Sequence, residues 1–243
     1  MNKTGISWTD MTWNPVSGCS KVSPGCQNCY AEYLTVHRFH RSFDVKLRPE
    51  RLKEVTKIPS GSKVFVNSMS DLFHEDVPFS FIEGVMNMIE SRKDVIFQVL
   101  TKRPERVLEY EFPDQNIPPP FPDNLWLGVS VEMPFYLERV HFVKQTSAKI
   151  KFISFEPLLA DIGIVDLSGI DWIIIGGESG PNYRPMNIEW ARNLVRQAIH
   201  QRVPVWMKQL GGTKPGGSME EFPEDLRVRQ FPIDIPNGKE VIS

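Results

Sequence analysis

No apolar run in this chain approaches the ~20 residues that a membrane-spanning helix needs, and the polar N-terminus lacks the charged-then-apolar order of a signal peptide. The expectation is a cytoplasmic protein with no membrane partner. An excess of charge of one sign is also lacking. Against 28 Lys and Arg stand 30 Asp and Glu, a formal net charge of -2, so no global positive field advertises nucleic acid. Cysteine is scarce and odd in number, 3 in 243 residues. In a reducing compartment that argues against disulfide staples, and one thiol would stay unpaired in any case. Metal or redox chemistry explains the cysteines better. Hydrophobic residues at 41% and charged residues at 24% give no reason to expect disorder, so a packed core follows.

In length the chain fits one α/β barrel or two small domains, and the order of segments decides between them. Short apolar, β-branched segments recur, most followed by a stretch able to form a helix, which is the alternation of a parallel sheet. The strand candidates are Met11–Trp13, weaker than the rest, then Lys63–Asn67, Val95–Thr101, Leu125–Val131, Lys151–Phe155, Trp172–Ile175 and Val205–Lys208. Helices are expected over Asn28–Phe39, Phe79–Ser91, Glu105–Glu109, Pro134–Thr146 and Ile188–Gln201, the last with apolar residues at helical spacing. Right-handed crossovers between six or seven parallel strands favour a partial α/β barrel of the (β/α) TIM type over two domains. The expected organisation is one barrel domain, residues 1–212, with a cysteine loop at 18–30, and a loop-rich tail, residues 213–243, where glycines and prolines break the patterning. Phe112–Asp123, rich in proline, is read as an extended surface loop before the fourth strand.

The chemistry is concentrated in one segment. All three cysteines fall in GCSKVSPGCQNCYAE, spaced Cys19-x6-Cys26-x2-Cys29, directly after the first strand and leading into a helix. Gly18 and Gly25 permit turns that larger residues resist, so the loop can wrap its sulfurs around a compact metal centre. The N-terminus of the following helix adds a favourable field to thiolates. The bland alternative, three buried small hydrophobes, sits poorly with clustering in a turn-rich loop. A structural zinc site and a complete iron–sulfur site each need four protein ligands, and the fourth is missing. His37 or His40 would have to reach back two or three helical turns to supply it.

Catalytic groups of an α/β barrel gather where strands end and βα loops begin. Polar residues stand at those positions here: Asn67, Ser68, Ser70, Asp71, His74 and Glu75 after the second strand, Thr101, Lys102 and Arg103 after the third, Ser130 and Glu132 after the fourth. Ser154 and Glu156 end the fifth strand, Gly176, Gly177, Glu178, Ser179 and Gly180 the sixth, Lys208 and Gln209 the seventh. Any one of these is ordinarily a solvated loop residue, but six charged strand ends in one barrel weaken that reading. Glu156 and Glu178 follow strongly apolar strands and need partners at the rim of the core. Lys102 and Arg103 suit a carboxylate or a phosphate. Glu156, Lys102 and Arg103 are therefore the candidate catalytic residues. Asp71, His74, Glu75 and Asp76 offer a second metal or acid–base site, against the blander reading of His74 as a loop histidine bonded to a neighbour. Between His37 and Lys57 basic residues concentrate, fit either to track phosphates or to form a solvated helix face interrupted by Glu50 and Glu54. Trp8 and Trp13 are fit to stack on bases or to pack the base of the barrel.

Three thiolates on a four-iron cluster leave one iron free to chelate a small molecule. A three-cysteine loop after strand one, followed by βα repeats, resembles the radical S-adenosylmethionine superfamily. The spacing is x6, x2 where that superfamily usually has x3, x2, and Asn28 stands before the third cysteine where an aromatic residue is usual, with Tyr30 following instead. Over almost the whole chain the segments ISWTDMTWNPVSGC, PGCQNCYAE, FVNSMSDLFHEDVP, FQVLTKRPER, LWLGVSVE, FISFEPLL and WIIIGGESGP resemble a phage-associated three-cysteine family of uncharacterised proteins. What the resemblance implies is a radical-SAM-like barrel with a [4Fe-4S] cluster on Cys19, Cys26 and Cys29. S-adenosylmethionine on the remaining iron would be cleaved to a 5′-deoxyadenosyl radical with an electron from an external donor. The resemblance also implies cofactor contacts from Asn67, Ser68, Ser130, Glu132, Gly176, Gly177, Glu178 and Ser179. Within that set the GGESG turn resembles the superfamily's glycine-rich acidic segment, displaced to the sixth strand. A nucleic-acid or nucleotide substrate is expected from the basic stretch and the phage-type resemblance. The rival readings are a non-catalytic cluster- or zinc-stabilised nucleic-acid-binding module and a zinc hydrolase taking a ligand from His37, His74 or a strand-end glutamate.

Overall fold

The computed structural model describes residues 2–112, 121–214, 216 and 219–232. Ten strands are present among them: β1 (Asn2–Lys3), β2 (Met11–Trp13), β3 (Val16–Ser17), β4 (Lys46–Leu47), β5 (Lys63–Val66), β6 (Ile96–Thr101), β7 (Leu125–Ser130), β8 (Ile150–Phe155), β9 (Trp172–Gly176) and β10 (Val205–Gln209). The main sheet runs β1-β2-β5-β6-β7-β8-β9-β10, and β3 pairs with β4 apart from it. Only β1 is antiparallel to its neighbour in the main sheet; the seven strands from β2 to β10 are parallel. These are the seven segments that the β-branched runs mark. The sheet keeps two edges, so the barrel is partial, although Trp206 Nε1 donates to Ser7 Oγ at 3.0 Å between the two edges.

The helices are α1 (Tyr30–Tyr33), α2 (Phe79–Glu90), α3 (Pro104–Glu111), α4 (Glu138–Gln145) and α5 (Ile188–His200). Burial follows helical spacing: α2 hides Ile82, Val85, Met86 and Ile89, and α5 hides Ala191, Leu194, Val195 and Ala198. Asn187 caps α5, its Oδ1 accepting from Glu189 N at 3.0 Å. Two expected helices are broken. The stretch after Asn28 is four α-helical residues followed by a π-helical segment, Leu34–Arg38, and Pro134–Tyr136 is a separate 3₁₀ turn before α4.

Alternation along the strands splits the core in two. One face of the sheet packs against the helices through residues such as Val64, Val66, Phe97, Val99, Leu127, Val129, Ile153, Phe155, Ile173 and Ile175. The other face lines the barrel interior with Trp8, Phe65, Trp126, Phe152, Trp172, Ile174 and Trp206. Trp172 meets Trp126 edge-on at 5.8 Å and Trp206 at 6.4 Å. Trp8 and Trp13 are 2% and 0% exposed, which places both in packing and not in base stacking. Moving toward the C-terminal ends of β7 and β8, Trp126 pairs with Ile150, Gly128 with Phe152 and Ser130 with Ser154. A Cβ at Gly128 would lie 2.4 Å from the Phe152 ring, so glycine is what lets that ring cross the interior. The lining thus turns from aromatic to hydroxylic within two steps along a strand.

In the described part of the C-terminal segment Phe222 and Leu226 are buried in the helix-side core, while Phe231 packs 4.6 Å from Trp206 against the aromatic layer of the barrel interior. Residues 113–120 of the proline-rich stretch, and residues 233–243, lie outside the described residues. Among the described residues no helix is long and apolar enough to cross a membrane.

Candidate functional site

Residues 18–30 leave β3 and reach the loops that follow β5, β7 and β9. At the start Gly18 N donates to Met69 O at 3.2 Å and Cys19 N to Phe43 O at 3.1 Å. Gly18 has φ +83°, and a Cβ there would lie 2.0 Å from Asp44 O, so both conformation and space demand glycine. In the middle Ser23 Oγ donates to Glu132 Oε1 at 2.7 Å. At the end Asn28 Nδ2 donates to Glu178 Oε2 at 2.9 Å and the Tyr30 hydroxyl to Ser68 O. The cysteine loop is therefore seated on the polar ends of the strands, where a barrel keeps its chemistry.

Three buried charged clusters do the seating. Glu132 has no exposed surface: Lys102 Nζ lies at 2.5 Å, and Arg139 Nη1 at 3.0 Å. Burial pushes its carboxyl up, but Lys102, then Ser23 and Arg139, outweigh that and hold it below the usual carboxylate range. A Cβ at Gly25 would lie 2.4 Å from Glu132 Oε1, so that glycine lets the loop rest on the carboxylate. Glu178, 5% exposed, accepts from Arg184 N at 2.8 Å and Arg184 Nε at 2.9 Å, and Arg184 Nη2 also donates to Pro24 O at 3.0 Å. Arg103, 7% exposed, donates to Glu75 at 2.8 Å, Ser20 Oγ at 2.8 Å and Asp71 at 3.3 Å, with Nη1 3.7 Å from Cys19 Sγ. Asp71 in turn accepts from Thr101 Oγ1 at 2.8 Å and Lys102 N at 3.1 Å.

The fourth strand-end carboxylate differs. Glu156 accepts from Ser154 Oγ at 3.1 Å and lies 3.0 Å from Lys208 Nζ, and among the described residues neither member of this ion pair bonds to the cysteine loop. Gly176 sits beside it, since a Cβ there would lie 2.4 Å from Glu156 Oε1. The remaining sequence candidates are mostly engaged. Asn67, at φ +60°, accepts from Val16 N at 3.1 Å; Ser68 Oγ donates to Asn14 Oδ1 at 3.2 Å; Ser130 O accepts from Arg139 at 2.8 Å. Gly177 packs so closely that a Cβ would lie 2.3 Å from Leu210 O, and Ser179 is bridged by backbone to Gly212. His74 holds Ser20 Oγ at 2.8 Å through Nε2 and accepts from Asp76 N at 3.1 Å through Nδ1, so both ring nitrogens are taken. His37 packs its ring 4.9 Å from Tyr33.

The thiols themselves are free and partly buried. Burial, then Asp71, pushes Cys19 up to about 11, against the opposing pull of Arg103. Burial raises Cys29 too, although the backbone N–H groups of Glu32 and Ala31 at the start of α1 favour its thiolate. Cys26 acts electrostatically on both neighbours, which places the three sulfurs within one local field. With pKa values raised, Cys19 and Cys29 stay protonated at neutral pH until a multiply charged metal centre takes the protons' place. Among the described residues no three His, Cys, Asp or Glu side chains converge on a point fit for a single metal ion. A cluster asks for something else, one thiolate to each of several irons, and three thiols in one loop suit that demand.

Glu75 provides a test of this electrostatic frame. Burial is the largest single influence and raises its carboxyl, but its own backbone N–H and Arg103 together outweigh that and bring it down to about 2. A carboxyl depressed on folding stabilises the fold above its unfolded value and loses that contribution as pH falls through the folded one. Glu75→Gln should therefore melt below the parent at pH 6, and the two melting curves should converge as pH approaches 2. A constant gap across that range would show that the Arg103 pairing contributes nothing.

Sequence reasoning missed Arg184, Arg139, Ser20, Ser23 and Asn28 as site residues. Arg184 follows Glu178 by six positions and Arg139 follows Glu132 by seven, signals that were available; the contacts of Ser20, Ser23 and Asn28 join residues far apart in the chain.

Three solved structures of spore photoproduct lyase share this fold. A cysteine-to-serine mutant of that enzyme matches with a TM-score of 0.51, and the enzyme complexed with dinucleoside spore photoproduct with 0.50, each at 10% identity over 81% of this chain. A tyrosine-to-phenylalanine mutant of the same enzyme matches equally, at 0.50. The matched region spans 62% of the lyase chain. The architecture is thus a partial (β/α) barrel of the kind seen in spore photoproduct lyase. No curated protein matches in sequence. A family model described as "Protein of unknown function (DUF5131)" matches residues 3–229, nearly the full length, and the chain belongs to that family.

Proposed function

We propose that this chain is a radical S-adenosylmethionine enzyme: Cys19, Cys26 and Cys29 hold three irons of a [4Fe-4S] cluster, and the fourth iron takes the cofactor. One observation carries the reading. All three cysteines of the chain lie in a single loop that buried ion pairs seat over the polar end of a partial barrel. When bound, the cluster and cofactor supply one-electron cleavage of a sulfonium, with the electron from an external donor, and so the means to attack an unactivated C–H bond. The chain's own residues then divide by their bonds. Arg103 favours the Cys19 thiolate, and Lys102 and Glu132 position the loop; these three are positioning residues. Glu156, with Lys208, Ser130, Ser154 and Gly176, is assigned to contact cofactor and substrate, because this group lines the interior end and does not brace the loop. The tryptophan layer beneath closes the interior to water.

The test is anaerobic reconstitution with iron and sulfide, followed by electron paramagnetic resonance of the reduced protein with and without S-adenosylmethionine. The expected result is a four-iron signal that changes on adding the cofactor. Zinc without iron, or a cluster signal indifferent to the cofactor, overturns the proposal.

A further inference from the structure

Exposed apolar side chains crowd one edge of the mouth. Val22, Tyr30, Tyr33, Val36 and Phe39 are all at least 39% exposed, and they lie between the second cysteine's approach and the end of the π-helical segment. Tyr33 and Phe39 are 47% and 54% exposed, and the Tyr33 ring is tilted 40° against His37. A π-helical segment is itself uncommon and recurs at functional sites.

Cations interleave with these rings. Arg38 and Arg41 are exposed, and among the described residues their side chains make no hydrogen bond or ion pair. Among the described residues Lys46 reaches only Ser42 Oγ, at 3.4 Å. From Arg38 to Lys57 the chain carries seven Lys and Arg against three Asp and Glu, although its formal net charge is -2. One of the three acids, Asp44, is occupied by Ser42 Oγ at 2.6 Å.

Rings that alternate with unpaired guanidinium groups match a single strand of nucleic acid, whose bases stack while its phosphates meet cations. A duplex hides its base faces and would leave the rings unused. An acidic protein would satisfy the cations but gives the alternation of ring and charge no purpose. We infer that the lip formed by Tyr33, His37, Arg38, Phe39, Arg41 and Lys46 binds single-stranded nucleic acid and leads it to the mouth of the barrel. This makes the substrate a nucleotide within a strand. The inference rests on the proposed radical reading for what happens at the mouth, but binding to the lip is measured without turnover.

The experiment is fluorescence anisotropy of a short labelled single strand, DNA and RNA, with the full-length chain before and after cluster reconstitution. Arg38→Glu with Arg41→Glu should weaken binding by at least about tenfold and lower the salt slope by about two. Tyr33→Ala with Phe39→Ala should weaken it about tenfold while leaving the salt slope unchanged. Arg38→Lys with Arg41→Lys should retain most of the affinity. Circular dichroism confirms that each variant folds. Parent-like binding by both disruptive pairs overturns the inference, as does tighter binding of a duplex of equal length. Absence of oligonucleotide binding, together with charge-sensitive docking of an acidic electron-carrier protein, also overturns it and makes the lip a protein dock. Strand binding that persists where no cluster assembles sustains the lip and removes only the radical reading.

Discussion

Cys26→Ala is expected to abolish the cluster in a chain that still folds. Three thiolates are the minimum that can hold a four-iron cluster while one iron serves the cofactor, so loss of one should take bound iron from about four per chain to below one. The structural cost is small. Cys26 ends the 3₁₀ turn Pro24–Cys26, and that turn is closed by its backbone N–H on Ser23 O at 2.9 Å, a bond that alanine keeps. Among the described residues the hydrogen-bond partner of its sulfur is Ser23 Oγ, at 3.7 Å, and the residue is partly buried. The metal-free variant should melt within about 3 °C of the parent, as expected for a loss below 1 kcal/mol in a chain of this length. Iron and sulfide analysis and the reduced-state resonance signal read the cluster, and thermal denaturation reads the fold. A full cluster on the variant would remove Cys26 from the ligand set. Lost iron with lost folding would mean that the cysteines hold the structure and not a catalytic centre.

The parallel strands from β5 to β10 were readable because they are largely buried on both faces and so spell near-continuous apolar runs: Trp172–Gly176, all buried, is the plainest, and β2, where only Trp13 is buried, the weakest. The two-residue pair β3 and β4 carries no such run and was not anticipated, nor was the π-helical break after α1. The site divides the same way. Cysteines clustered in a glycine-containing loop announce themselves, whereas the bonds seating that loop join residues separated by 109 positions for Ser23 and Glu132, 150 for Asn28 and Glu178, and 84 for Cys19 and Arg103. Periodicity and spacing report on neighbours only, so they identified Glu156 and Glu178 as carboxylates in need of partners, and Glu132 as a polar strand end, without identifying the partners. For that reason the GGESG turn looked like a ligand-binding segment, while the fold gives its glutamate to Arg184.

Glu132→Ala should be the most destabilising single change at the site. The carboxylate is fully buried and answers two cations at once, Lys102 at 2.5 Å and Arg139 at 3.0 Å, with Arg139 itself 5% exposed. Deleting one member of a buried ionic group leaves the others uncompensated, which costs about 3–5 kcal/mol, far more than the intact group contributes over an apolar replacement. At about 2–4 °C per kcal/mol, the metal-free variant should melt roughly 10 °C below the parent. Glu132→Gln keeps an acceptor for Ser23 and fills the same space, so it should fall between the two. Gly25→Ala attacks the same contact from the other side, since its Cβ would lie 2.4 Å from Glu132 Oε1 and must push the loop off the carboxylate. The two variants should therefore share a defect beyond stability: both should reconstitute less iron at temperatures where they are folded, because the segment carrying Cys19, Cys26 and Cys29 has lost its central seat. A Glu132→Ala chain that melts with the parent and takes up full iron would show that the loop is held by its two ends alone, through Gly18 and Asn28, and that the buried carboxylate serves the barrel and not the cluster.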